Sequence, residues 1–216
     1  MPAPARPADR EPVPPHDPSE KITFTEYLRR EEAAEYKHEF NQGYAVPIQG
    51  PDAERLGMAG AKRTHNLVAT NATVELSLRL RDSGCTVYNS DQKVYVEAVD
   101  RGFYPDASVF CGEPEYAEGD RNEVVMVNPT MLFEVLSGST EANDRGEKRF
   151  CYIQIPTLRE YVMLEQDRPR VEVLSRAEDG SMTLNIYDGL DATVRLPSCD
   201  LDIPMADFYR GLSFDG

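Results

Sequence analysis

Glu134 interrupts Met131-Leu132-Phe133-Glu134-Val135-Leu136, a run that otherwise reads as a buried strand. Asp106 opens a second apolar run, Ala107-Ser108-Val109-Phe110, directly after Tyr104-Pro105. Moving an acid from water to an apolar site costs several kcal/mol unless it is paired, neutralised or bound to a metal. Any fold that buries these two segments must therefore supply compensating charge. Two such acids on two strands, with Lys148 in the next segment, point to a site that holds a divalent ion beside a phosphate.

Bulk properties narrow the alternatives. The chain has 216 residues, and no apolar run approaches the roughly 20 residues needed to span a bilayer. Residues 1–20 hold seven of the 16 prolines and almost no large apolar side chain. They lack the apolar stretch of a secretory signal and read as a disordered Pro-rich leader. Residues 21–216 suffice for one domain with its own core. Cys85, Cys111, Cys151 and Cys199 form no C-x-x-C pair, which argues against structural zinc and for free thiols in a reducing cytoplasm. With three histidines and no tryptophan, chemistry built on several histidines gains little support. The net charge of −15 argues against nonspecific coating of nucleic acid, yet leaves room for a nuclease with a small basic cleft. No phosphate-cradling glycine motif is present, and Ser137 lies in no Gly-x-Ser-x-Gly elbow.

Periodicity and turn residues predict the elements. A helix starts at an N-cap at Thr25 and ends near Tyr36 to Glu39, and Tyr44 to Ile48 is a strand. Gln49 to Gly57 is a loop. The longest helix, Met58 to Asp82, shows Leu67, Asn71, Val74 and Leu78 at helical spacing. Strands follow at residues 86–88, 93–97, 107–111, 124–127 and 131–136. Ser139 or Thr140 caps a helix that runs to about Ile155, before Pro156. Glu160 to Glu165 and Arg170 to Leu174 form a hairpin, strands at 182–187 and 193–196 come next, and Ile203 to Tyr209 is a final helix. This order describes an α/β (α+β) domain with a mixed sheet flanked by helices.

The candidate site is Asp106, Glu134 and Lys148. The two acids are 28 residues apart, ample for a loop and a returning neighbour strand. Each has a plainer reading. Asp106 also suits a turn cap, Glu134 an ion pair with a buried base, and Lys148 a solvated helix face shared with Arg145 and Arg149.

Tyr104-Pro105-Asp106, Asn128 to Thr140, Asp144-Arg145-Gly146-Glu147-Lys148, Tyr152, Ile155-Pro156 and Glu160-Tyr161-Val162 together resemble the Uma-two family of bacterial proteins. The resemblance spans about Thr23 to Leu212 and implies a restriction-endonuclease-like (PD-(D/E)XK) fold. It implies a metal-dependent endonuclease acting on nucleic acid, DNA foremost. Magnesium or manganese would be held by Asp106, Glu134 and the Val135 carbonyl. The superfamily's lysine, two residues after the second acid, would fall at Leu136. Lys148 on the following helix takes its place by resemblance. Glu39, His65 and Asp91 match further family positions and are candidate substrate contacts. The segment after Glu39 departs from the family's acidic Gly-Glu pattern, and Gly138 replaces a common proline. These departures, with the acidic charge, keep a binding module of little or no catalytic activity as the alternative. A homodimer is expected, with the apolar hairpin Tyr161 to Val173 as its surface.

Overall fold

The computed structural model describes residues 13–55, 62–138 and 141–214. The expected cap at Ser139 or Thr140, residues 58–61 of the expected long helix and the first part of the leader lie outside the described residues.

Helix α1 (Phe24–Ala33) begins two residues earlier than expected. The Thr23 hydroxyl accepts a hydrogen bond from the Glu26 backbone N–H at 3.2 Å, so Thr23 is the N-cap in place of Thr25. The helix ends at Ala33, short of the expected Tyr36 to Glu39, where the backbone of Ala34 turns extended ahead of a strand at His38. Strands β1 (His38–Asn41) and β2 (Tyr44–Pro47) form a hairpin whose two-residue turn has Gln42 and Gly43 at positive φ, 50° and 99°. A short helix, α2 (Gly50–Arg55), stands where a loop is expected.

Two principal sheets make the body. The first has strand order β2-β1-β5-β4-β7, completed by β4 (Lys93–Val96), β5 (Arg101–Phe103) and β7 (Val125–Met126). The second has order β11-β10-β9-β8-β6-β3. Its strands are β3 (Cys85–Asn89), β6 (Ala107–Cys111), β8 (Met131–Leu136), β9 (Glu160–Glu165), β10 (Arg170–Arg176) and β11 (Met182–Asp188). Its ladders are antiparallel except β8–β9, which is parallel. A parallel neighbour needs a crossover. The helical segment between them supplies it: α4 (Glu141–Asn143), a π-helical turn (Asp144–Lys148) and α5 (Arg149–Tyr152). A two-stranded ribbon, β12 (Thr193–Leu196) and β13 (Leu201–Pro204), leads to α6 (Met205–Phe208).

The six-stranded sheet is apolar on both faces. Ala107, Val109, Met131, Phe133 and Val135 pack with Val68, Ala72 and Leu76 of α3 (Arg63–Arg79) in one core. Leu132, Leu136, Tyr161 and Met163 pack with Val94, Phe103, Tyr152 and Ile155 in the other.

Three expectations are corrected. The buried face of α3 is Val68, Ala72, Glu75 and Leu76, one position round from the expected stripe, and Leu78 is 54% exposed. Asn71 instead caps the chain's last helix, donating to the carbonyls of Phe208 and Arg210 at 2.9 and 3.0 Å. Cys85 and Cys111 are not free thiols. The β3–β6 register sets them directly opposite and they form a disulfide, with Cys199 Sγ 3.7 Å from that of Cys111. The hairpin residues Tyr161 to Val173 offer no apolar surface for self-association, because Tyr161, Val162, Met163, Leu164, Val171 and Val173 are buried as central strands. The exposed apolar side chains of this sheet are Leu184 and Ile186 on its β11 edge.

The shifted helix face is testable by urea unfolding. Leu76→Ala should cost about 2–5 kcal/mol, whereas Leu78→Ala should stay within about 0.5 kcal/mol of wild type.

Candidate active site

Strand β8 is buried along its whole length. Side chains alternate across a strand, so Met131, Phe133 and Val135 face α3 while Leu132, Glu134 and Leu136 face the second core. Glu134 is only 3% exposed. Its partner strand ends at the right place to meet it. The β6–β8 ladder stops at Ala107 opposite Phe133. Continuing that register would set Asp106 opposite Glu134, on the same face of the sheet. Pro105 lies just beyond and has no N–H to extend the ladder. The Asp106 carboxylate fills the gap, accepting a hydrogen bond from the Val135 backbone N–H through Oδ2 at 2.7 Å. The same oxygen lies 3.3 Å from His65 Nε2 on α3.

The crossover helix brings the cation. Lys148 Nζ lies 3.1 Å from Glu134 Oε1, 3.4 Å from Asp144 Oδ1 and 3.7 Å from Glu39 Oε1. Tyr152, one helical turn on, donates its hydroxyl to Glu134 Oε1 at 2.8 Å. Tyr161 on β9 donates to the Asp144 carbonyl at 3.0 Å. Asp144 and Lys148 both lie in the π-helical turn, a distortion that recurs at functional sites.

Electrostatics follow from crowding. Burial pushes the Glu134 carboxyl well above the usual carboxylate range, against the pull of Lys148, and the charges of Asp144 and Asp106 push the same way. Burial likewise raises Glu39, opposed by Lys148 and Arg101. Burial disfavours the charged form of Lys148, but Glu134, Glu39 and Asp144 outweigh it and hold the ammonium well above its ordinary value. Burial also lowers His65, and the hydrogen bond and charge of Asp106 more than reverse it. Three carboxyl groups thus surround one ammonium, and a fourth, Asp106, bears on Glu134 from the neighbouring strand. The excess of oxygen donors and negative charge fits a hard divalent cation.

Of the residues singled out from sequence, Asp106, Glu134, Lys148, Glu39 and His65 come together. Asp91 stands apart: it is exposed, lies in the turn before β4, and pairs with Lys37 at 2.5 Å. Two members of the cluster, Asp144 and Tyr152, were not among the expected site residues. The spacing Asp144, Lys148, Tyr152 carries the signal, because every fourth residue of a helix shares a face.

The sequence matches the model of the Uma2 (Uma-two) family, described as "Putative restriction endonuclease", over residues 24–205. The chain belongs to the Uma2 family. Two Uma2-like relatives come from Synechocystis sp. (strain ATCC 27184 / PCC 6803 / Kazusa). The uncharacterized protein sll1609 is 33% identical over 173 residues, 80% of this chain and 91% of the relative. The uncharacterized protein slr1290 is 29% identical over 201 residues, 93% of this chain and 97% of the relative. The crystal structure of a "putative nuclease belonging to DUF820" from Anabaena variabilis ATCC 29413 shares the fold, with a TM-score of 0.66 at 16% identity, covering 87% of this chain and 97% of that one. Among the described residues of this Uma2 chain, no helix is long and apolar enough to cross a membrane.

Removing the base from the buried pair should be costly. Lys148→Met leaves Glu134 buried without its counter-charge and should lose about 3–5 kcal/mol of stability. Glu134→Gln combined with Lys148→Met should recover most of that loss, as read by urea unfolding of the four proteins of the cycle.

Proposed function

We propose that this chain is a metal-dependent endonuclease that hydrolyses phosphodiester bonds of nucleic acid, DNA foremost. The observation that carries the reading is the convergence of Asp106, just before β6, and Glu134, inside neighbouring β8, on one sheet face, with Lys148 Nζ 3.1 Å from Glu134. Asp106, Glu134 and the Val135 carbonyl would hold magnesium or manganese. Such an ion, when bound, lowers the pKa of a coordinated water and neutralises charge on phosphate oxygens.

The chain's own groups perform the remaining work. The Val135 N–H fixes the Asp106 carboxylate, and the Tyr152 hydroxyl fixes that of Glu134. Lys148 is held in its ammonium form by the acids around it. It therefore acts as a donor that orients the attacking water and offsets developing negative charge. His65 steadies Asp106 from α3 and stands as a substrate contact, as does Glu39 from β1. We further propose that the protein acts in the cytoplasm and that two copies pair when the substrate is duplex.

A second reading, a binding module with little hydrolysis, is favoured by the net charge of −15 and by Leu136 at the usual lysine position. Cleavage assays on duplex DNA, single-stranded DNA and RNA, each with magnesium or manganese, separate the two. Wild type should cut DNA, and Asp106→Asn, Glu134→Ala and Lys148→Ala should each lose at least about 100-fold, the scale of removing one group that stabilises transition-state charge. Absence of cleavage by wild type on every substrate, or equal cleavage by Glu134→Ala, would sink the catalytic reading. Asp91→Ala belongs in the same series: a substrate contact raises KM at unchanged kcat, and a turn cap alters neither.

A further inference from the structure

A second cluster of ligating side chains lies apart from the carboxylate site. Two of the chain's three histidines meet on one carboxylate. His16 comes from the Pro-rich leader, Glu31 from α1 and His38 from β1. His16 Nε2 and His38 Nδ1 each lie 3.1 Å from the same oxygen, Glu31 Oε2. The three donor atoms fall within 4.8 Å of one another. The His16 side chain is 1% exposed, an unusual depth for a residue of a proline-rich leader.

The surroundings orient this group as partners orient a metal ligand. Glu31 Oε1 is occupied separately: it accepts from the Tyr104 hydroxyl and from the His38 backbone N–H, each at 2.9 Å. That leaves Oε2 turned to both imidazoles. The Tyr27 hydroxyl holds the His38 carbonyl at 2.5 Å and the Tyr27 ring lies against His16. One feature opposes a cation. Lys93 Nζ lies 3.8 Å from Glu31 Oε1, on the far oxygen, braced by the rings of Tyr27 and Tyr104 at 4.2 and 4.9 Å. Two imidazoles and a carboxylate can still outweigh one ammonium that their own carboxylate already balances. Glu31, Lys93 and Tyr104 also line a cavity of about 570 Å³ beside the cluster, on the side of Glu31 Oε1.

We propose that His16, Glu31 and His38 bind a divalent transition-metal ion, zinc by its donor set, which clasps the leader onto α1 and β1. Two imidazoles and one carboxylate are a donor set that suits zinc. A segment rich in proline and poor in apolar side chains cannot hold itself down by burial. A metal bond from His16 would add to the contacts already made by Arg30 with the Pro15 carbonyl and with Glu20. This proposal stands independently of the nuclease reading.

The test uses the full chain carrying Glu134→Ala, stripped of metal and titrated with zinc by calorimetry in excess magnesium. That background removes the carboxylate site as a zinc binder. One equivalent of zinc should bind. His16→Ala should weaken binding at least about 100-fold, on the order of a lost ligand or key orienting partner, with an unchanged circular-dichroism spectrum. His16→Cys should restore binding and give a thiolate-to-cobalt charge-transfer band when cobalt replaces zinc. Cys199→Ser should leave binding unchanged, since Cys199 is the one free thiol in the other close trio, whose Cys85 and Cys111 are joined in a disulfide. No zinc uptake would overturn the proposal and leave a purely hydrogen-bonded histidine pair. Uptake that survives His16→Ala but fails in Cys199→Ser would overturn it in favour of the cysteines.

Discussion

The structure depends on how it accommodates one acid in the middle of a buried strand. Glu134 has buried apolar residues on either side of it in β8 and almost no exposure to water. In such a setting an ionised carboxylate is tolerable only with a close counter-charge and satisfied lone pairs. Lys148 and Tyr152 meet both needs from the crossover helix. The helix must therefore lie over β8, which in turn sets the parallel placement of β9. Fold and chemistry share one cause. The cluster carries more negative charge than Lys148 can balance, so what makes it awkward for folding also makes it receptive to a cation.

How much of this was legible varies with the kind of signal. The bounds of β8 could be read to the residue, because a continuous apolar run admits few alternatives and its single acid is conspicuous. Asp106 stood out for the same reason, whereas Lys148 was reached through the family resemblance. The face of α3 was not legible. Leu67, Asn71, Val74 and Leu78 make a plausible stripe, but the helix packs on Val68, Ala72 and Leu76 and buries Glu75, which pairs with Arg79 and Arg210 at 2.7 and 2.6 Å. Small residues let it approach the sheet closely, and size is invisible to a pattern of polar and apolar. Short strands such as β5 were missed because three residues carry too little periodicity. The cross-strand disulfide was missed because cysteine spacing says nothing about register. Asp144 and Tyr152 were readable in principle, as the four-residue spacing on either side of Lys148.

The two clusters are joined by one tripeptide. In Tyr104-Pro105-Asp106, the tyrosine reaches Glu31 beside the histidine pair and the aspartate reaches Val135 beside Glu134. Pro105 restricts the backbone between them. The end of the β6 ladder is thus a rigid bracket, with one arm in the five-stranded sheet's territory and one in the six-stranded sheet's.

The π-helical turn at Asp144–Lys148 makes the crossover a device that counts residues. An α-helix advances roughly 100° per residue, and the wider turn absorbs one extra residue in the same rise. Losing a single residue between Asp144 and Lys148 would relax the coil to an ordinary α-turn, keeping Tyr152 in phase but shortening the Asp144–Lys148 spacing from four residues to three. A change of length is borne more easily at the exposed tip Glu178–Gly180 between β10 and β11, which holds no residue of either cluster.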